Sequence, residues 1–333
     1  MRVSYDEMYN ALKERLLKYG ANEKVAEGCA KNLTENSQGG VYSHGLNRFP
    51  RVIAMLKSGV IKPDNAPQLV QAMGAFEIWD GNQGMGNTNA EICMDRAIEM
   101  AKKNGVGCVA LRNTNHWQRG GAFGIQAAKA GCVGICWTNT QPNMPAWGAK
   151  DRHIGNNPLV MCLPYKDEYV MVDGAMAQFS YGAIESARLE GRQLPVVGGY
   201  DQDGNLTTDP AAIEKTWRVL PIGFWKGSGF SIMMDMIGAA LSDGKTVSDI
   251  GQQGNVPEDE YNLTQVFMAI SMPDKQVQDA AVARVIEDIK SSQRVDEDRE
   301  ILYPCEKELD IYHENVKEGI PVNEKIWAQV LAL

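Results

Sequence analysis

The first seventy residues repeat apolar positions at the 3.6-residue period of an α-helix. A capping box at Ser4–Glu7 begins the first predicted helix, and Gly20 ends it. A second helix is expected from the N-cap Asn22 towards Gly39–Gly40, and a third carries the apolar residues of Phe49–Leu56. This part of the chain is therefore predicted to be a small helical unit.

From about residue 68 onward, short β-branched runs alternate with helical patterns. Two runs on either side of the polar turn Tyr165–Asp167 have the spacing of a hairpin, so the sheet is expected to be mixed. The predicted strands are Gly105–Leu111, Val133–Trp137, Leu159–Leu163 and Tyr169–Val172. The predicted helices are Asn89–Lys103, Gly120–Ala130, Gly229–Leu241, Ala280–Val295 and a last helical region that ends at Leu333.

A Gly-rich turn often marks a nucleotide site, and Gly81–Gly86 is the densest such turn in the chain. Its order is G-x-x-G-x-G, and the dinucleotide fingerprint G-x-G-x-x-G is absent from the sequence. We therefore expect this turn to cap the helix that starts near Asn89. The whole pattern predicts an α/β protein with a non-Rossmann mixed sheet flanked by helices. A central mixed domain is expected at residues 71–299, and a smaller helical domain is expected from the N-terminal and C-terminal segments, 1–70 with 300–333.

Composition restricts the partners of the protein. Its 333 residues carry a formal net charge of −9 and no basic run, which opposes attraction to nucleic acid or to an anionic membrane. No stretch approaches the roughly 20 apolar residues that span a bilayer, and the amino terminus lacks a signal-peptide core. We therefore expect a cytoplasmic protein with neither a nucleic-acid nor a membrane partner.

The cysteines and histidines argue against disulfide and metal sites. The seven cysteines are scattered and odd in number, with no C-x-x-C pair, as in proteins of a reducing compartment. The four histidines lie far apart, no H-E-x-x-H occurs, and His153 and His313 are predicted surface residues, so no metal is expected. A G-x-S-x-G nucleophile elbow is also absent. These absences favour a reaction that a cofactor carries.

His44 and Arg48 form the most informative pair in the sequence. If the segment after Gly45 is helical, the two side chains share one face, because they are four residues apart. Such a pair suits the reduction of a ketone that bears a carboxylate: the guanidinium binds the carboxylate, and the imidazole supplies a proton. The alternative for His44 is a helix cap or a surface residue.

Two further segments are candidates for cofactor or substrate contacts. His116, within Asn113–Trp117, follows a predicted strand and could fix a nicotinamide or substrate hydroxyls, or be a hydrogen-bonded turn residue. The segment Gly223–Gly229 precedes an apolar helix, so its amides with Lys226 and Ser228 could receive a pyrophosphate. The alternative there is a helix cap with a lysine in solvent.

Ordered motifs along nearly the whole chain resemble the type 2 malate/L-lactate dehydrogenase family. They are Val41–Gly45, Asn47–Pro50, Ala110–Asn113, Asn115–Trp117, Arg119–Gly121, Trp147–Lys150, Ile154–Pro158, Met171–Asp173 and Gly223–Gly229. The resemblance implies a non-Rossmann NAD(P)-dependent oxidoreductase. It also implies a homodimer whose cofactor lies between the central domain and the partner subunit, with His44 as the proton donor.

Carried over by position, the resemblance implies a set of cofactor-binding residues. They are Tyr169, Val170, Met171, Val172, Asp173, Gly174, Ala175, Trp225, Lys226, Cys305, Glu306 and Lys307. The chain departs from the family at Cys305, where a glycine is usual, and at Lys307, where an acid is expected. The cofactor is expected to be NAD, with NADH preferred and NADP possible.

The resulting hypothesis is a reductase of a 2-oxo sugar acid, a small-molecule substrate. His44 would protonate the oxygen, Arg48 would bind the carboxylate, and His116 would orient nicotinamide or substrate. The alternatives are a malate, lactate or ureidoglycolate-type 2-hydroxy acid dehydrogenase and a catalytically silent nucleotide-binding protein.

Overall fold

The computed structural model describes residues 1–254 and 260–333. The first two helices begin at the expected caps, since the side chains of Ser4 and Asn22 each accept a hydrogen bond from a backbone N–H three residues on. The helices of the described residues are α1 (Tyr5–Lys18), α2 (Glu23–Gln38), α3 (Phe49–Lys57), α4 (Gly86–Asn104), α5 (Gly121–Lys129), α6 (Tyr181–Leu189), α7 (Pro210–Thr216), α8 (Trp225–Ser242), α9 (Val247–Gly251), α10 (Lys275–Lys290), α11 (Glu306–Glu318) and α12 (Glu324–Ala332).

One seven-stranded sheet organises the centre of the molecule, in the order β2-β3-β4-β12-β5-β8-β9. The strands of the described residues are β1 (Arg2–Val3), β2 (Gln68–Met73), β3 (Phe76–Asp80), β4 (Val106–Asn115), β5 (Cys132–Thr138), β6 (Met144–Pro145), β7 (Arg152–Ile154), β8 (Leu159–Tyr165), β9 (Glu168–Gly174), β10 (Gly199–Tyr200), β11 (Leu206–Thr207), β12 (Tyr261–Ser271) and β13 (Ile320–Pro321). Strands β3 and β4 are parallel and the other neighbours in this sheet are antiparallel. The predicted mixed sheet and its β8–β9 hairpin are therefore confirmed.

Helices cover both faces of this sheet. A Cβ on Gly134 of β5 would lie 2.7 Å from the Cβ of Ala127, so α5 packs closely on one face. Trp137, three residues further along the same strand, points to the opposite face, where its Nε1 donates to Met234 O of α8 at 3.0 Å. The sheet is thus the middle layer between α4 with α5 on one side and α8 on the other.

Both ends of the chain contribute to one apolar cluster. Buried side chains of α1, α2 and α3 pack with those of α12, including Leu12, Leu33, Phe49, Trp327 and Val330. Burial of these apolar surfaces holds the N-terminal helices to the C-terminal ones. The domain boundaries at residues 70 and 300 stay predictions.

Several predicted helix ends are wrong. Helix α4 begins at Gly86 rather than near Asn89, α8 begins at Trp225 rather than Gly229, and α10 spans Lys275–Lys290 rather than Ala280–Val295. Glycine has a low helix propensity, so Gly86 and Gly227 suggested that α4 and α8 begin later than they do. Packing requires a glycine at both positions. A Cβ on Gly227 would lie 2.5 Å from Ile222 O, and one on Gly86 would lie 2.5 Å from His116 O.

Several parts of the fold were not predicted, among them the β2–β3 hairpin. Strand β12 lies at the centre of the sheet, although the buried Thr264 and Gln265 interrupt its apolar pattern, because Thr264 Oγ1 donates to Lys245 O and Gln265 Nε2 donates to Asn115 O. A separate apolar cluster that includes Ile184, Leu194 and Ile213 joins α6 and α7 beside the β10–β11 pair. None of the described helices combines the length and apolar character needed to cross a membrane.

Candidate active site

The segment that carries His44 is not one helix. It forms two 3-10 turns, Tyr42–His44 and Leu46–Arg48, which Gly45 separates with φ −112° and ψ −127°. His44 and Arg48 therefore do not lie on one continuous helix, which was the condition for their sharing a helix face. A Cβ on Gly45 would overlap Ser37 Oγ and lie 2.9 Å from Ser37 N, so the glycine lets this segment pack against α2.

The backbone around His44 is held by α2. Ser37 Oγ accepts a hydrogen bond from Leu46 N at 2.8 Å, and Asn36 Nδ2 donates to His44 O at 3.0 Å. Asn36 and Ser37 are themselves buried. The position of the imidazole is therefore determined by two polar side chains of a neighbouring helix.

His116 follows the end of β4, as the sequence predicts. Its Nδ1 accepts a hydrogen bond from Gln118 N at 3.0 Å, and the next residue, Trp117, is buried in the core against Phe123 and Phe267. The sheet and its core thus fix both the backbone and the ring of His116.

The fold brings the two imidazoles together. The ring centroids of His44 and His116 are 6.1 Å apart with an interplanar angle of 22°. Burial, then the nearby Arg48 and Arg119, lowers the pKa of His44 to about 4. Burial also holds the pKa of His116 well below its ordinary value, with Arg48, His44 and Arg51 acting in the same direction. Both rings are therefore neutral at neutral pH in the free protein.

Arg48 lies beside this pair in a cluster of cations. Glu260 Oε2 is 3.6 Å from Arg48 Nη2 and 2.9 Å from Arg51 Nη2, and the Glu260 side chain is only 9 % exposed. Arg48 Nη2 is buried and has no hydrogen-bond partner. Burial and then Arg51 lower the pKa of Arg48 to about 10, whereas Glu260 acts to raise it. Because Arg48 Nη2 is a buried cationic donor without a hydrogen-bond partner among the described residues, an anionic ligand would be favoured there.

Sequence reasoning missed Arg119 as a site residue. Its side chain is 6 % exposed, and its Nε lies 3.7 Å from Asp173 Oδ2, which accepts a hydrogen bond from Gly121 N at 2.8 Å. The pKa of Asp173 is raised by burial, although Arg119 and the Gly121 N–H act against that rise. Arg119 therefore connects the His44 region with the end of β9. The sequence did offer a signal for Arg119, because it lies two residues after Trp117 and begins the Arg119–Gly121 motif.

The predicted cofactor segment Tyr169–Ala175 forms most of β9 and the residue after it. This strand is an edge of the sheet, and Met171 N donates to Pro304 O at 3.4 Å, next to the second predicted segment. A Cβ on Gly174 would meet no atom within 4 Å, so the strand ends beside open space. These two predicted segments are therefore neighbours.

Cys305 precedes α11 with φ 75°, a left-handed conformation that glycine adopts most easily. Its side chain is buried in the core, and burial raises the pKa of its thiol to about 12. Glu306 accepts a hydrogen bond from Tyr303 N at 3.1 Å and pairs with Lys290, while Lys307 is exposed. The cysteine thus keeps a backbone form typical of glycine at this position.

Trp225 and Lys226 lie in the first turn of α8 rather than in a loop before it. The Trp225 side chain is 65 % exposed and the Lys226 ammonium lies 6.0 Å from its ring centroid. Among the described residues, neither makes a hydrogen bond or ion pair with His44. Ser228 is buried and its Oγ accepts from Trp147 N at 3.1 Å, so this hydroxyl already has a structural role.

The remaining histidines are surface residues, as predicted. His153 Nε2 lies 2.8 Å from Asp151 Oδ2, and His313 Nε2 lies 2.6 Å from Glu168 Oε1. Both rings are exposed. They are separate from the His44–His116 pair.

A non-Rossmann mixed sheet with two half-buried, neighbouring imidazoles beside an arginine is consistent with a reductase of carboxylate-bearing substrates. The chain belongs to the malate/L-lactate dehydrogenase family, whose model matches residues 3–331. It is therefore an oxidoreductase that acts on CH–OH groups, and dehydrogenases of this family typically use nicotinamide cofactors.

A curated relative is similar along the whole chain. The sequence is 45% identical to 2,3-diketo-L-gulonate reductase of Escherichia coli K12 over 336 aligned positions, which cover 100% of each protein. The sulfolactate dehydrogenase structure from Methanocaldococcus jannaschii has a TM-score of 0.91 at 28% identity and covers 100% of this chain and 98% of its own. The malate dehydrogenase structure from Entamoeba histolytica has a TM-score of 0.92 at 25% identity and covers 99% and 96%. These likenesses confirm the predicted family and fold class.

Proposed function

We propose that this protein reduces 2,3-diketo-L-gulonate to 3-dehydro-L-gulonate with NADH. The observation that carries the proposal is the half-buried His44 imidazole near Arg48, whose Nη2 is buried and has no hydrogen-bond partner among the described residues. A carboxylate bound by Arg48 would hold the neighbouring carbonyl near the two imidazoles. The full-length similarity to a 2,3-diketo-L-gulonate reductase supports the choice of substrate.

In this proposal His44 gives a proton to the carbonyl oxygen as the alcohol forms. Arg48 binds the substrate carboxylate, helped by the positive charge that Arg51 adds to the cluster. His116 orients the reacting end of the substrate or the nicotinamide. The partial burial of these groups strengthens their electrostatic contacts.

The residues at the edge of the sheet fit a dinucleotide. There is open space at Gly174 for a bound cofactor along the edge strand. Beside it, Cys305 has a glycine-like backbone and Lys307 is exposed. The residues proposed to hold it are those of Tyr169–Ala175 and Cys305–Lys307, with Trp225 and Lys226. When bound, the reduced nicotinamide supplies a hydride.

We propose a homodimer in which a second copy covers the exposed face of α8. Large apolar side chains there are unusually exposed, with Phe230 at 58 %, Met233 at 53 % and Met236 at 58 %. Met161 and Val172 on neighbouring strands are each 47 % exposed. An apolar surface of this kind typically marks an interface. We also propose the cytoplasm as its compartment, because the seven cysteines are unpaired.

A second candidate is a dehydrogenase of another 2-hydroxy acid. It is favoured by structural similarity to proteins named sulfolactate and malate dehydrogenases. The same arginine and histidine would serve any 2-oxo acid, because they contact the carboxylate and carbonyl that these substrates share.

A substrate panel separates these candidates. Purified protein is given NADH and, in separate reactions, 2,3-diketo-L-gulonate, oxaloacetate, pyruvate, 3-sulfopyruvate and oxalurate, the oxidised form of ureidoglycolate, with absorbance followed at the NADH band. The proposal predicts the highest kcat/KM for 2,3-diketo-L-gulonate. A higher kcat/KM for another compound of the panel would identify the class of that compound as the substrate instead. Cofactor binding without turnover of any member would favour a catalytically silent protein.

A further inference from the structure

The backbone at Gln118 restricts the protonation of His116. Gln118 N donates to His116 Nδ1 at 3.0 Å, and a backbone N–H can only donate. His116 Nδ1 must therefore keep a lone pair, and the neutral ring carries its proton on Nε2. Adding a proton to Nδ1 would replace this hydrogen bond by a repulsive contact between two N–H groups.

The charges around the pair oppose a positive His116. Arg48 and Arg51 face it from the turn before α3 and from α3, and Arg119 approaches His44 from the connection between β4 and α5. Two carboxylates of the described residues lie near these cations, and both are engaged: Glu260 pairs with Arg48 and Arg51, and Asp173 accepts the Gly121 N–H. Burial and these cations together depress the pKa of His116.

His44 has no comparable restriction. Its Nδ1 lies 2.9 Å from Ser43 Oγ, and a hydroxyl can either donate to a neutral ring or accept from a protonated one. Ser43 is exposed, so this hydroxyl can exchange its own proton with solvent. Both protonation states of His44 are therefore compatible with its hydrogen bonding.

We propose that His116 is a permanently neutral hydrogen-bond donor through Nε2, and that His44 alone carries the transferable proton, which it takes up from solvent when the substrate carboxylate binds. The bound carboxylate offsets the charge of Arg48, so a positive His44 becomes favourable. This inference rests on the proposed function. Reduction breaks the carbonyl π bond and forms a C–H bond with the cofactor's hydride and an O–H bond with the His44 proton. His44 is left neutral.

The direct test uses the wild-type protein with NADH and oxamate, a carboxylate-bearing isostere of a 2-oxo acid that NADH does not reduce. Protein labelled with ¹⁵N in histidine is followed by NMR between about pH 5.5 and 8.5, with signals assigned from His44→Ala and His116→Gln. The expected result is an unchanging Nε2–H tautomer for His116 and conversion of His44 to imidazolium on oxamate binding. A titrating His116, or a His44 that stays neutral in the complex, would overturn the inference.

Calorimetry supplies a second readout. Oxamate binding to the NADH complex, measured in buffers of different ionisation enthalpy, should take up about one proton per site at pH 7. No proton uptake on binding would contradict the inference, while the proposed function could still hold if the substrate panel succeeds. Conversely, failure of the whole panel would contradict the proposed function without changing the NMR and calorimetric result.

Paired variants give a kinetic readout. His116→Gln keeps an N–H donor without a titratable ring, and we expect its kcat to stay within about tenfold of the wild-type value. His116→Leu removes the donor and should lose about 10²-fold in kcat. If His116 carried the proton, both variants would lose activity as severely as His44→Ala, and the pH profile of His116→Gln would change.

Discussion

Arg48 Nη2 lies 3.6 Å from Glu260 Oε2, a carboxylate that Arg51 Nη2 approaches to 2.9 Å. Glu260 therefore lies between two guanidinium groups, and its closer contact is with Arg51. Among the described residues, Arg48 Nη2 is buried and has no hydrogen-bond partner. In the proposed function, this N–H is available to the carboxylate of the substrate.

Arg48→Lys should impair substrate binding more than cofactor binding. Lysine keeps the charge but loses the planar fork that binds a carboxylate through two hydrogen bonds. We expect kcat/KM for the 2-oxo acid to fall by about 30-fold, equivalent to about 2 kcal/mol. Arg152→Lys, a change at an exposed arginine, is the matched control. An equal loss with the methyl ester of the substrate would show that Arg48 does not act on the carboxylate.

Gly45→Ala should displace His44. The added Cβ would overlap Ser37 Oγ, whose hydrogen bond with Leu46 N holds this segment. We expect loss of most activity and a fall of about 1–3 kcal/mol in the free energy of unfolding, measured by urea denaturation. Gly182→Ala is the control, since a Cβ there meets no atom within 4 Å. Equal activity and stability in both variants would refute the packing argument.

The pH dependence should differ between the two reaction directions. The free protein holds His44 neutral above about pH 5, because its pKa is lowered to about 4. Ketone reduction needs a protonated His44, so kcat/KM should fall about tenfold per pH unit from pH 6 to 8. Alcohol oxidation needs a neutral His44, so its kcat/KM should stay level over that range. A level profile for reduction would mean that the free protein already holds the proton.

A charge on the exposed face of α8 should prevent the proposed dimer. Met233→Glu places a carboxylate within an apolar surface, where burial against a second copy would be costly. We expect light scattering after size-exclusion chromatography to report a monomer for this variant and a dimer for the wild type. Val285→Glu, at a 63 % exposed position of α10, should remain dimeric. A dimeric Met233→Glu protein would place the interface elsewhere.

The sequence was sufficient for the helical N-terminal segment, the hairpin and the general fold class. Their signals are local, since caps at Ser4 and Asn22 and alternating apolar runs depend on nearby residues. The central strand β12 was missed because its buried Thr264 and Gln265 resemble surface residues until their distant partners are known. The order of strands in the sheet likewise depends on long-range pairing.

In the candidate site, too, local motifs were predictable from the sequence and long-range contacts were not. His44, Arg48 and His116 were chosen from short motifs, but their proximity depends on long-range packing that places the His44 segment, held by α2, beside the residue that follows β4. Arg119 and Glu260 were not chosen because their importance arises from charges that neighbouring loops bring together. Local spacing could not show the turn at Gly45, where a close approach to Ser37 separates two short helical turns.

The most direct test of the account is single-turnover reduction of 2,3-diketo-L-gulonate by His44→Ala, with NADH affinity measured separately by fluorescence titration. The exposed His153→Ala variant is the control. We predict that His44→Ala loses about a thousandfold in the reduction rate while its Kd for NADH stays within about threefold of the wild-type value. An unchanged reduction rate in His44→Ala would contradict the assignment of His44 as the proton donor.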